Sequence, residues 1–590
     1  MLPLAEVRPG MVGTGKTIFA GNKLEEFQVE VLGVLANSAP GQSIILAKLS
    51  GGPLAESGVI QGMSGSPVYV DGKLIGAVAL GFPMAKQAIC GIRPIEEMLA
   101  VPATAPAPST RQATDPSQNR RVLPAERRVL PGDQQVDHVF PEVARYEAGN
   151  VVLEPIRTPL QLSGFSPGTL KHFAPMAERL GLSLAQGFSG GQDAQAAAPG
   201  SGSAALAKVE PGSMISVQMM RGDMQIAADG TVTHVDGNQI HAFGHRFLAI
   251  GSTALPFAQS EVITVLPNLS TSFKITKSGA PLGVIHQDRN ASIAGVLGEQ
   301  ADMAPMRVKV TRASGGQQVL ERDYRMEMVK DPYLAPLLLQ MALFSAVDST
   351  ERSVGAASLD VDATLRFEGG LPPLRIRNLY SGSALVGLVG ALGVSVPAGY
   401  ALQSGFSSLK LESVEMNLAL AEERRELRLE QMWTSTKEAS PGEEVEIHAI
   451  LMDPDGVEQR QRFVYRVPRG APAGPLYFSA ADASSLNMLD YPRFTSLTPK
   501  SPEQLLDLIG SLRSNNKLYL RVWRQEPTYS IQGADLPAPP PSAALILDRS
   551  TDVKGGRAAV QNAALTELSA DLGSYAVTGS KTIQIEVKKD

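Results

Sequence analysis

The heptapeptide Gly62-Met63-Ser64-Gly65-Ser66-Pro67-Val68 constrains this chain more than any other stretch. It follows Gly58-Val59-Ile60-Gln61 and leads into Tyr69-Val70-Asp71-Gly72-Lys73-Leu74-Ile75-Gly76-Ala77-Val78. Alternating apolar residues on both sides of an Asp-Gly pair predict a tight β-hairpin. A Ser flanked by glycines at the mouth of such a hairpin sits on backbone that bends sharply and admits a close approach. Two readings follow. In one, Ser64 is a presented nucleophile, and the N–H groups of Gly62 and Ser64 point at one spot as an oxyanion hole. In the other, the stretch is an ordinary turn, because Gly and Ser are common in turns.

Further pieces accompany the heptapeptide: Gly10-Met11-Val12-Gly13, the run Lys23 to Leu32, Gly76-Ala77-Val78, and Gly91-Ile92-Arg93-Pro94-Ile95-Glu96-Glu97-Met98-Leu99. Together, residues Met11 to Leu99 resemble the serine-bearing half of the SpoIVB-type peptidase family, a chymotrypsin-like group. The resemblance implies that Ser64 is the nucleophile and Ser66 a second, non-nucleophilic Ser. A shorter likeness covers Asp229-Gly230-Thr231-Val232-Thr233 and Gln239-Ile240-His241-Ala242-Phe243-Gly244-His245. It matches the family's Gly-Thr strand and His turn, and implies that His245 is the general base.

Three departures accompany the resemblance. The Ser half precedes the His half here, a rearranged order that triad chemistry tolerates. The region where the family carries its acid reads Leu49-Ser50-Gly51-Gly52-Pro53, with no Asp or Glu. The His turn is followed by Arg246-Phe247-Leu248-Ala249 rather than closely by an Asp. Asp288, in His286-Gln287-Asp288-Arg289, is the candidate third member; a Ser–His dyad and an inactive site stay open.

A P-loop pattern, Gly10-Met11-Val12-Gly13-Thr14-Gly15-Lys16-Thr17, is a decoy. A phosphate cradle needs a buried strand before it and a helix after it. Pro9 stands where that strand should be, and the following residues alternate as a hairpin. The formal net charge of −6 gives no electrostatic footprint for nucleic acid. The single cysteine, Cys90, excludes an intrachain disulfide and reads as a buried small residue. No Cys/His cluster points to a metal, and no cofactor is expected. The longest apolar run, Ala384 to Val396, is too short to span a bilayer and reads as a buried helix. No signal peptide is visible, while the resemblance implies a periplasmic or extracellular setting.

The expected fold is mainly β: a chymotrypsin-like double β-barrel, an α/β linker region and an immunoglobulin-like β-sandwich. Residues 1–100 form the Ser-bearing barrel half, 101–140 a Pro/Ala/Arg-rich linker, and 141–330 the His-bearing half. Residues 331–430 form a helix-plus-β accessory domain, 431–480 the sandwich, and 481–590 a C-terminal α/β segment. Within these, Thr169 to Leu184 reads as a helix, Asp229-Gly230 as a turn between short strands, and Lys581 to Val587 as an edge strand. The implied activity is that of a serine endopeptidase acting on protein or peptide substrates. The alternative is a catalytically inactive scaffold of the cell envelope, and the C-terminal sandwich is a candidate surface for a protein partner.

Overall fold

Alternating apolar residues close the first hundred residues into a barrel. The computed structural model describes residues 1–104, 146–148, 151–187, 209–268, 271–314, 317–350, 355–496, 499–531, 534–537, 539–549 and 557–589. Nearly all of the linker expected over 101–140 therefore lies outside the described residues. The strands are β1 (Val12–Ile18), β2 (Leu24–Ala39), β3 (Gln42–Ser50), β4 (Pro67–Val70), β5 (Lys73–Gly81) and β6 (Ile89–Pro94). They pair in the order β4-β1-β2-β3-β6-β5, and β5 returns to β4, so the barrel has six strands and no free edge. Phe27, Val29 and Val31 of β2 and Ile45, Ala47 and Leu49 of β3 alternate into its core. Gly15 lies opposite Phe27, where a Cβ would sit 2.1 Å from the ring. The P-loop decoy is thus β1, an antiparallel partner of β2, with no helix after it. The Asp71-Gly72 turn has positive φ at both residues, 49° and 72°, as a tight hairpin requires.

After β7 (Tyr146–Ala148) and β8 (Val151–Pro155), β9 (Thr158–Ser163) leads to a helix over Pro167–Arg179. Ser166 caps that helix by accepting the Thr169 N–H at 3.2 Å. The helix ends sooner than its apolar spacing predicts. Gly181, at φ 76°, turns the chain, and Leu182–Gln186 becomes β10, parallel to β9. A second closed barrel follows. Its strands are β11 (Met214–Gly222), β12 (Gln225–Asp236), β13 (Gln239–Ala242), β14 (Gly251–Leu266), β15 (Phe273–Arg289) and β16 (Ser292–Leu297). They pair as β12-β13-β16-β15-β14-β11, and β11 returns to β12. The expected pair of barrels is present.

One expected turn is absent. β12 runs straight through Asp229-Gly230 because Asp229 is buried and held by hydroxyls, and Gly230 makes room for the Phe243 ring. A Cβ at Gly230 would lie 2.3 Å from that ring. The strand is thus kept by what packs on it, against the local turn preference.

The chain divides into two compact units. One holds residues 1–307 and 324–349, including both barrels; the other holds 308–323 and 350–590. In the second unit, strands Ala357–Phe367, Leu374–Gly382 and Leu411–Ala421 form adjacent strands of a sheet. The apolar run predicted to be a buried helix forms one over Val386–Leu402, and the Cα of its Gly390 faces Leu359 of that sheet. Farther on, Glu426–Thr434, Glu444–Met452 and Glu458–Arg466 pair in one sheet, and Gly474–Ala481, Lys517–Ile531 and Ser580–Val587 in another. Leu429, Ile447 and Phe463 from the first meet Phe478, Leu520 and Ile585 from the second in one core, so the two sheets form a sandwich. Ser580–Val587 lies inside its sheet, between Glu438–Ala439 and Gly474–Ala481, and is not the edge strand its sequence position predicts. Among the described residues no helix is long and apolar enough to cross a membrane.

A buried ion cluster ties the second unit together. Asp490 accepts from Arg521 at 3.0 and 2.6 Å and from Arg513 at 2.8 Å, while Glu567 binds both arginines. Removing one carboxylate leaves guanidinium charge buried and short of partners. Asp490→Ala is expected to destabilise this unit by about 3 kcal/mol. Urea unfolding of the full chain, followed at the transition that quenches Trp433 and Trp523, reads the loss.

Candidate active site

The two barrels meet at the heptapeptide. Gly62 and Gly65 take φ values of 93° and 95°, so the loop turns sharply on either side of Ser64. Its carbonyls are all engaged. Thr231 N–H donates to Ser64 O at 2.8 Å, Thr231 Oγ1 to Gly62 O at 2.9 Å, and Thr233 Oγ1 to Gly65 O at 2.7 Å. Gly65 N–H donates to Val78 O at 2.8 Å and Ser66 N–H to Met63 O at 2.9 Å. The N–H groups of Gly62 and Ser64 donate to no protein acceptor among the described residues. These are the two amides expected to form an oxyanion hole.

Packing leaves the loop no alternative. A Cβ on Gly65 would lie 1.9 Å from Thr231 O and 2.6 Å from Phe243 N. That contact brings the His-bearing turn to the loop. Phe243 and Gly244 both take positive φ, 71° and 70°, and Gly244 rests against Ala77, Val78 and Ala79 of β5. Phe243 is not a glycine, so its left-handed backbone is strain held by packing, here its ring on Gly230 and against Phe247. Arg93 Nε donates to Gly244 O at 3.4 Å, and the same guanidinium pairs with Glu97 at 3.1 Å. Val78 thus takes the Ser loop through its carbonyl while the His turn packs against the same atom.

Ser64 and His245 are buried at this seam, with 0% and 3% of their surface exposed. His245 Nδ1 pairs with the Arg246 carbonyl at 2.7 Å. A carbonyl only accepts, so Nδ1 carries the proton and Nε2 presents its lone pair. His245 Nε2, Ser64 Oγ and Ser66 Oγ are each buried without a hydrogen-bond partner among the described residues. The nucleophile and base candidates share one seam, and they do not bond to each other in this state. Burial, with the nearby charges of Arg93 and Arg246, lowers the His245 pKa to about 4 against the pull of its Arg246 hydrogen bond.

Asp288 lies behind the His turn. Its carboxylate accepts the N–H groups of Phe247 at 2.8 Å, Leu248 at 2.7 Å and Ile250 at 3.2 Å. It braces the loop that carries His245, while the imidazole itself is oriented by a main-chain carbonyl. Burial pushes the Asp288 carboxyl above the ordinary range, against these amides, which favour the anion. His241, four residues before His245, sits on β13 with Nε2 at 2.9 Å from Val101 O. Cys90 is buried in the first barrel, and burial raises its thiol pKa. Among the described residues no three His, Cys, Asp or Glu side chains gather as a metal site.

Sequence reasoning missed the groups that hold the loop. Thr231 and Thr233 were legible only as strand residues, although Asp229, Thr231 and Thr233 recur at the strand period and so mark a polar row. Lys274 left no signal at all, since lysine is read as solvent-facing. Lys274 is fully buried, its stem 3.2 Å from where a Gly62 Cβ would be.

Among known proteins, residues 5–99 match the family model described as SpoIVB peptidase S55. No curated protein and no solved structure matches the chain. The match ends before β12 and the His turn begin.

Two outcomes test this geometry. Gly65→Ala, which combines a clash with backbone and a positive φ, is expected to destabilise the first unit by about 3 kcal/mol or more, read by chemical denaturation. His245 binds its proton less readily when folded (about 4) than in an unfolded chain (6.5), so the stability it contributes is present above pH 6.5 and lost as pH falls to 4. Buried Asp229, raised to about 6, runs the other way over an overlapping range. The comparison that isolates the imidazole is wild type minus His245→Asn. That difference should fall by about 3 kcal/mol between pH 7 and pH 4.

Proposed function

We propose that this chain, whose N-terminal barrel is of the SpoIVB peptidase type, is a serine endopeptidase held in a latent state. Ser64 Oγ attacks a peptide carbonyl. His245 Nε2 takes the hydroxyl proton and returns it to the leaving amine. The Gly62 and Ser64 amides receive the oxyanion. The Arg246 carbonyl does the orienting that an aspartate does in a triad, and Asp288 braces that loop from behind. The observation that carries this reading is the convergence of the two motifs, far apart in sequence, on Val78, with the Ser64 hydroxyl, the His245 Nε2 and both amides left unpartnered.

Buried polar groups without partners cost free energy, and they persist where they serve a function. Four such groups at one seam fit a reaction centre waiting for a substrate. The latency follows from exposure: with Ser64 fully buried, a peptide carbonyl reaches Oγ only after the seam opens. Substrates are proteins or peptides in a periplasmic or extracellular setting, and the sandwich of the second unit offers a surface for a protein partner. A second reading, an inactive scaffold, draws on the same burial and on the absence of a carboxylate at His245 Nδ1.

A fluorophosphonate probe decides between them. For the peptidase, the wild-type protein labels, and Ser64→Ala and His245→Ala abolish labelling while each still unfolds in a cooperative transition above the labelling temperature. Folded wild-type protein that never labels, including at sub-denaturing urea that loosens the seam, identifies the scaffold. Where labelling occurs, its acidic limb should lie below pH 6, because the base stays neutral down to about 4. An acidic limb at 6.5 or higher would mean that His245 is not the base.

A further inference from the structure

One buried cation at the seam has no part in the chemistry so far. Lys274, on β15, has no exposed surface. Its N–H donates to Gln61 O at 3.2 Å, next to Gly62. Its methylene stem lies along Gly62, with Cδ, Cγ and Cβ at 3.2, 3.5 and 3.6 Å from the position a Gly62 Cβ would take. Nζ donates to Thr17 Oγ1 of β1 at 2.9 Å and to Met214 Sδ of β11 at 3.4 Å, so the side chain links the first barrel to the second. Met214 Sδ also lies 3.4 Å from the oxygen of the Thr231 hydroxyl, whose proton goes to Gly62 O at 2.9 Å.

This is poor lodging for an ammonium. Three N–H donors meet one hydroxyl and one thioether, a weak acceptor. The charged group that faces Lys274 is Asp229 of β12; β1 presents Thr17 and β11 presents Met214. Asp229 is not in salt-bridge contact, and its oxygens are taken by the hydroxyls of Ser260 and Thr276 at 3.1 and 2.6 Å. As a packing element alone, an apolar side chain of the same length would serve as well or better.

We propose that Lys274 is a positioning residue for the oxyanion donor at Gly62: its stem sets the Gly62 backbone between the barrels, and its ammonium group answers the negative charge that gathers at that amide. The inference rests on the peptidase reading above. In the resting seam, burial lowers the Lys274 pKa to about 7, partly offset by Asp229, so the amine is divided between neutral and charged forms near neutrality. An oxyanion bound at Gly62 N–H adds an opposite charge nearby and favours the protonated form, which in turn favours the oxyanion.

The test pairs Lys274→Met, which keeps the stem and removes the charge, with a readout of Gly62 itself. Labelling with carbonyl-13C glutamine and 15N-glycine isolates amides that follow Gln, and the chain has three: Gly62, Gly187 and Gly533. The Gly62 amide should show a step with a midpoint near 7 in wild type and in Ser64→Ala, and lose that step in Lys274→Met, where the contribution of Asp229 alone is left. Lys274→Met should slow fluorophosphonate labelling at least tenfold, the loss lying in the inactivation rate constant and not in probe binding, with an unchanged melting temperature. A Gly62 amide that does not titrate in the wild type overturns the inference whatever the activity. So does unchanged labelling in Lys274→Met, which leaves the peptidase reading intact. A Gly62 amide that titrates in protein that never labels overturns the peptidase reading and the catalytic role of Lys274 with it.

Discussion

The site depends on a short row of hydrogen bonds from β12 to the Ser64 loop. Thr231 and Thr233 engage the carbonyls of Gly62, Ser64 and Gly65. Each such bond contributes about 1 kcal/mol to stability, so the row is not what holds the barrels closed. The row anchors the loop on β12, while the peptide planes that carry the Gly62 and Ser64 amides are set by Gln61 O, which accepts the Lys274 N–H at 3.2 Å, and by Met63 O, which accepts the Ser66 N–H at 2.9 Å; both amides are left without protein partners among the described residues. The positive φ of Gly62 and Gly65 is what lets a tight loop satisfy that demand.

The His turn shows the same logic from the other barrel. Phe243 is held at φ 71° by its own ring, which fills the space Gly230 leaves open. Asp288 then gathers the next backbone amides, Phe247, Leu248 and Ile250, on one carboxylate. A buried carboxylate with three amides needs no cation beside it. The imidazole is set by its neighbour's carbonyl, so the acid of a triad has no room at Nδ1 in this conformation. The strained Phe243 backbone and the orphaned Ser64 Oγ, Ser66 Oγ and His245 Nε2 lie together at this seam, as expected where function competes with stability.

Much of this was legible beforehand for a simple reason: turns and strands are local. Asp71-Gly72 marks a hairpin and the alternation of β2 a half-buried strand, and each formed as its pattern predicts. The failures share one cause. Asp229-Gly230 is a turn by preference and a strand in fact, because a hydroxyl cluster and an aromatic ring are supplied from elsewhere in the chain. The alternation of Lys581 to Val587 marks a strand at the end of the chain and reads as an edge, yet the strand pairs on both sides. The sandwich likewise needed strands from well beyond residues 431–480 to cover its second face.

By itself, then, the chain's order of residues determined the pieces: two β-rich halves, a Ser loop that must bend, a His on a second tight turn, and no cluster with metal-ligand spacing. Those follow from steric limits on φ and from period-two burial, which act over a few residues. What only the tertiary structure decided is which pieces face each other. It set the loop carbonyls on Thr231 and Thr233, placed Asp288 behind the His turn instead of at its ring, and sank Lys274 against Gly62. Partner choice of this kind rests on long-range packing between barrels, where a lysine or a threonine carries the same local preferences whether it meets water or a buried backbone.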